Sequence, residues 1–126
     1  TLMDIKINNT FLPQNDPEAA IAFYRDVLKF EIRNDVGKGE MHWITVGPAG
    51  QPDVSIVLYP PAATPGLTDE ERQMIDEMMA KGTFAMLTLS STDLDTAFEE
   101  IQMFGAADAR HDHMQIMQLF RVHFRQ

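Results

Sequence analysis

The chain has no cysteine, which removes thiol nucleophiles, thiolate metal sites and disulfides together. That absence fits a reducing compartment, so a cytoplasmic location is expected. Basic residues are scarce as well: 10 Lys and Arg stand against 19 Asp and Glu, for a formal net charge of −9. Nucleic acid and anionic membrane surfaces both recruit basic patches, so neither is an expected partner. No apolar run approaches the roughly 20 residues of a transmembrane helix, and the amino terminus lacks a signal-peptide core. There is a single tryptophan, Trp43, and no glutamate follows Glu100. What remains is ordinary globular composition, 44% hydrophobic over 126 residues, enough for one compact domain. Nine methionines are plentiful for this length. They are expected mainly as core filler, with Met74, Met78 and Met79 already at helical spacing.

The most informative segment runs from Asp16 to Glu31. Asp16 suits an N-cap, and Pro17 suits the first helical position, where no amide hydrogen is needed. Ala20, Phe23, Tyr24, Val27 and Leu28 then form one apolar stripe. A fainter version returns in Asp93-Leu94-Asp95-Thr96-Ala97-Phe98-Glu99-Glu100-Ile101, ending near Gly105-Ala106. Strands are expected from Ile5 to Leu12, Phe30 to Val36, Met41 to Val46 and Val54 to Tyr59, with a glycine-rich turn at Gly37-Lys38-Gly39. Pro60-Pro61 to Gly66 forms a connector, and Thr68-Asp69-Glu70-Glu71 is a capping box that opens a helix stopping before Gly82. Thr83 to Leu89 begins a second unit as a strand.

The tail is short for three further strands. Phe120, Val122 and Phe124 alternate with Arg121, His123 and Arg125, a period-two strand, and Ala109 to Met117 is a candidate for another.

A repeated strand–helix–strands unit carrying Asp16-Pro17-Glu18-Ala19-Ala20, Ala22-Phe23-Tyr24-Arg25-Asp26-Val27-Leu28-Lys29-Phe30-Glu31 and Met41-His42-Trp43-Ile44-Thr45-Val46-Gly47-Pro48 resembles the vicinal oxygen chelate superfamily. That group contains glyoxalases, bleomycin-resistance proteins and extradiol dioxygenases. The resemblance implies an α+β fold of two βαβββ modules with curved mixed sheets, the second module shortened. Module one spans 1–62, a connector with a helix 63–82, and module two 83–126.

In this superfamily a divalent ion sits in the concave sheet, held by His, Gln or Glu of the first and fourth strands of each module. Carried across, those positions fall near Asn8, on Tyr59, and on Ala85 or Met86, and the closing glutamate has no counterpart. An amide and a phenol are poor ligands for such ions, and neither Ala85 nor Met86 is a plausible one. The resemblance therefore implies a cavity without its usual metal and without a cofactor. Trp43, Tyr59, Phe11 and Phe84 are available to line it, and Asn8, His42, Trp43, Tyr59 and Met86 are the candidate ligand-binding residues. Of His42 and Trp43, strand alternation lets only one face the cavity. The expected function is metal-independent binding of a small molecule, of the resistance or sequestration type, favouring planar or cationic ligands. The expected assembly is a homodimer, with strand exchange as one route to it. The alternative is a metal-dependent lyase, isomerase or dioxygenase with displaced ligands His111, His113 and His123, the first two sharing a face if they lie on a strand.

Overall fold

Asp16 opens the first helix by accepting a hydrogen bond from the Ala19 amide at 3.1 Å, and Pro17 occupies the first helical position. The computed structural model describes residues 3–107 and 122–125, with side chains for 3–101. Helix α1 (Pro17–Ile21) continues as a wider π-turn over Ala22–Val27, in which the Leu28 amide bonds to the Phe23 carbonyl five residues back, at 3.0 Å. Two consecutive aromatics, Phe23 and Tyr24, are thereby both buried, edge to face with ring centroids 5.2 Å apart. Lys29, at φ 63°, reverses the chain, and the Phe30 amide closes onto the Tyr24 carbonyl.

Strands β1 (Asn9–Pro13), β2 (Glu31–Lys38), β3 (Met41–Gly47) and β4 (Ser55–Tyr59) form one curved sheet in the order β1-β4-β3-β2. The β1–β4 pair is parallel and the other two are antiparallel. Leu12, Ile44, Val46, Ile56 and Leu58 are buried against Ala20, Phe23, Tyr24 and Val27, so these strand positions make the helix-covered face. Alternation sends Phe11, Trp43, Thr45, Val57 and Tyr59 to the other, open face.

Strand β1 starts at Asn9 rather than Ile5, and Ile5 and Ile7 are 76% and 74% exposed. The reason lies in its neighbour. Ser55 is the first residue of β4 and pairs with Asn9, so the preceding residues have no strand beside them. The β2–β3 turn also falls later than expected, with Lys38 still paired to Met41.

The capping box forms as its sequence requires. Thr68 and Glu71 exchange hydrogen bonds at 3.0 and 3.1 Å, α2 runs over Asp69–Lys81, and Gly82 ends it in the left-handed conformation at φ 72°. Its methionines do not fill the core, however: Met74 and Met78 are exposed and no α2 residue is buried. The helix is polar on most of its surface and packs mainly on the short 3₁₀ turn Pro61–Ala63. Strand β5 (Leu87–Ser90), shorter than the expected Thr83–Leu89, pairs in parallel with β6 (Val122–Arg125). Helix α3 (Leu94–Ala107) lies between them in sequence and adds Ile101 to the core. The expected strand at Ala109 to Met117 falls outside the described residues. Among the described residues no helix is long and apolar enough to cross a membrane.

A bulge between Ile32 and Asn34 turns Arg33 onto the open face. There it donates to the carbonyls of Val54, Pro48 (2.9 Å) and Gln51 (3.1 Å), to Ser55 Oγ (2.9 Å) and to Glu31 (3.2 Å). One guanidinium thus pins the whole β3–β4 loop. It can do so because Gly47 has no side chain: a Cβ there would lie 2.4 Å from Arg33 Nη1. Gly47→Ala is expected to displace the guanidinium and cost about 1–3 kcal/mol, read by urea denaturation. Arg33→Lys should lose a comparable amount, since one ammonium cannot reach this fan of acceptors.

Candidate functional site

The open face is built from side chains that core packing leaves on that side. Phe11 and Tyr59 meet edge to face with ring centroids 5.9 Å apart. The pairing of Phe11 and Thr45 with Val57 puts Trp43, two residues from Thr45 on β3, on the same side. Thr45 and Asn34 are paired neighbours there, as are Trp43 and Val36, so neutral polar groups border the rings. Phe11 is 55% exposed and Val36 is 53% exposed. This is an amphipathic aromatic surface, suited to stacking with a few hydrogen bonds around it. Strand register puts the carboxylate of Glu31 at its far end, where Arg33 holds it.

Of the expected site residues, Trp43 and Tyr59 share this face. Asn8 precedes β1 and is exposed, and its neighbour Asn9 has the parity of Phe11. Met86 is 64% exposed and immediately precedes β5. Phe84 lines a separate cavity of about 250 Å³ with Leu12, Tyr24 and Met79. His42 goes to the opposite face. Its Nε2 contacts Asp35 Oδ1, and its backbone carbonyl accepts from Gln14 Nε2 at 2.9 Å.

The positions to which the resemblance carries the metal ligands, near Asn8, on Tyr59 and on Ala85 or Met86, offer an exposed amide, a phenol and a methyl or thioether, which is not a donor set for a hard divalent ion. Among the described residues no three His, Cys, Asp or Glu side chains converge as a metal site. His111 and His113 lie outside the described residues, and His123 is placed only by its backbone pairing with Thr88.

The sequence profile of the Glyoxalase/Bleomycin resistance protein/Dioxygenase superfamily matches residues 6–118. The chain belongs to this superfamily. Among solved structures, it is similar to UcmS2 at 31% identity, covering 80% of this chain and 75% of that one, with a TM-score of 0.69. It is also similar to TnmS3, an antibiotic binding protein from Streptomyces sp. CB03234, at 25% identity, covering 82% and 74% of the two chains, with a TM-score of 0.58. A superfamily member from Sphaerobacter thermophilus DSM 20745, 21% identical over 82% of this chain and 74% of that one with a TM-score of 0.55, shares the fold. None of the curated proteins matches the chain.

Two functional features escape the sequence reading. One is the Arg33 clamp, whose signal is the polar run Arg33-Asn34-Asp35 that interrupts the strand's alternation where the bulge lies. The other is Gln14, a polar residue just past the expected first strand with no local sign of burial, which is only 1% exposed and ties the end of β1 to the start of β3.

Proposed function

We propose that this superfamily member binds a planar, antibiotic-like small molecule on the open face without using a metal, and that it works as a homodimer. The observation that carries this reading is the juxtaposition of Phe11, Tyr59 and Trp43 on a face whose aromatic rim is partly exposed. Ring stacking is the interaction such a surface offers, and a cationic ring system would add attraction to the aromatic faces. The similarity to TnmS3, an antibiotic binding protein, supports the ligand class. The poor donor set at the superfamily's metal positions supports binding in place of metal-assisted chemistry.

A face this open in one chain needs a second wall. Exposed Met3, Ile5, Ile7 and Phe11 lie in or just before β1, an outer strand of the sheet, and supply apolar area for a second copy. Sedimentation across a concentration series is expected to show a dimer. A monomer at high concentration would remove that part of the proposal.

Trp43 is the only tryptophan, so its fluorescence reports the site directly. Titration with polycyclic aromatic antibiotics is expected to quench it saturably, and Tyr59→Ala should weaken binding roughly tenfold, about 1.4 kcal/mol. Absence of saturable quenching across the series, or indifference to Tyr59→Ala, would refute the site. Elemental mass spectrometry on untagged protein is expected to find no stoichiometric transition metal. One metal per chain, lost in a His111→Ala/His113→Ala variant, would establish the displaced-ligand enzyme instead.

A further inference from the structure

The open face is graded along its strands. Phe11, Val57, Thr45 and Asn34 pair in turn across all four strands, from β1 to β2. Tyr59, Trp43 and Val36 lie two residues away along β4, β3 and β2, all toward one end of the sheet and about 7 Å off. Asn9, Ser55 and Glu31 lie toward the other end. Thr45 and Asn34 therefore stand where the aromatic end meets the polar one.

Asn34 is exposed, but its carboxamide is not free to turn. Its Oδ1 accepts from the Asp35 amide at 3.1 Å. That bond sets the orientation and leaves the N–H groups of Nδ2 without a partner among the described residues. The neighbouring cation has nothing left to offer a ligand. All five N–H groups of Arg33 are taken, by Glu31, Val54, Ser55, Pro48 and Gln51, and Glu31 offsets its charge. Side chains stand roughly perpendicular to a sheet, so a ring system lying flat beside Trp43 brings its edge to the Asn34 amide. An apolar edge would strip that donor of water and return nothing, whereas a carbonyl oxygen accepts from it.

We infer that Asn34 sets specificity on the open face, its NH2 donating to a carbonyl oxygen on the edge of a planar ring system stacked against Trp43. The inference rests on the open-face reading above and adds which ring systems that face accepts.

Calorimetry with fluorenone and fluorene, each carrying the same 2-trimethylammonium group, isolates the carbonyl. Both are planar cations without an N–H, and only one has an acceptor at C9. Saturable binding of both is expected, the fluorenone roughly tenfold tighter. Asn34→Ala should bring the two affinities together. Asn34→Asp keeps an oxygen for the Asp35 amide but replaces the donor with an acceptor, so the fluorenone should become the weaker ligand. The added charge attracts both cations alike and leaves that comparison intact. Equal affinities for the unaltered protein would overturn the inference while leaving ring stacking in place. So would a preference that survives Asn34→Ala, which would give the carbonyl to Thr45 or to Lys38 at the β2–β3 turn. Saturable uptake of neither cation would instead refute open-face binding itself, and the inference with it.

Discussion

Gly37→Ala is expected to destabilise the protein by roughly 2–4 kcal/mol, while Gly39→Ala two residues away costs about 1 kcal/mol. Gly37 pairs with His42 at φ 101°, a conformation that side chains rarely tolerate. A Cβ there would lie 1.9 Å from the carbonyl oxygen of Met41 and 3.0 Å from its carbonyl carbon. These are backbone atoms of the paired strand, so no rotamer change relieves the collision and the hairpin must open. Gly39 also has positive φ, at 59°, but its Cβ would meet nothing within 4 Å, leaving only the cost of the left-handed conformation. Urea midpoints of the two variants give the comparison. Equal losses would mean that the pairing of Gly37 with His42 is wrong, and with it the assignment of His42 to the helix-covered face.

Features decided within a few residues were legible in the sequence. The Asp16 cap, the buried stripe from Ala20 to Val27 and the Thr68–Glu71 box depend on groups three or four residues apart, and each forms as written. The π-turn was not legible, because the Phe23-Tyr24 pair fits an ordinary helix with one ring at the edge of the stripe equally well. Alternation at Ile5 and Ile7 described a competent strand, but a strand also needs a neighbour, and β4 begins only at Ser55. Met74, Met78 and Met79 show the same limit: helical spacing defines a face without saying what covers it.

The choice between His42 and Trp43 turned on which parity of β3 meets the helix. Ile44 and Val46 are buried there, so His42 goes with them and Trp43 goes with Thr45 to the open face. The cleft lined by Asp16, Glu40, Pro61 and Arg72 had no signal of its own, because its walls come from separate stretches of chain that only the folded topology brings together.

Tyr24 gives the protein an alkaline weakness that a core phenylalanine would not. Its ring packs against Phe23 and Phe30, and burial pushes the phenol above its ordinary value of 10.0. The folded chain therefore keeps this proton at a pH where the unfolded chain has lost it. Below about pH 10 both states are protonated and the group contributes no pH dependence. Above it the unfolded state gains by ionising, and stability should fall by about 1.4 kcal/mol per pH unit until the folded-state phenol titrates as well. Denaturation measured from neutral pH into this range should show the slope, and Tyr24→Phe should remove it, keeping the ring while deleting the ionisable group. An identical slope in the phenylalanine variant would assign the alkaline loss to other groups. It would also mean that the Tyr24 phenol is not sealed in the core.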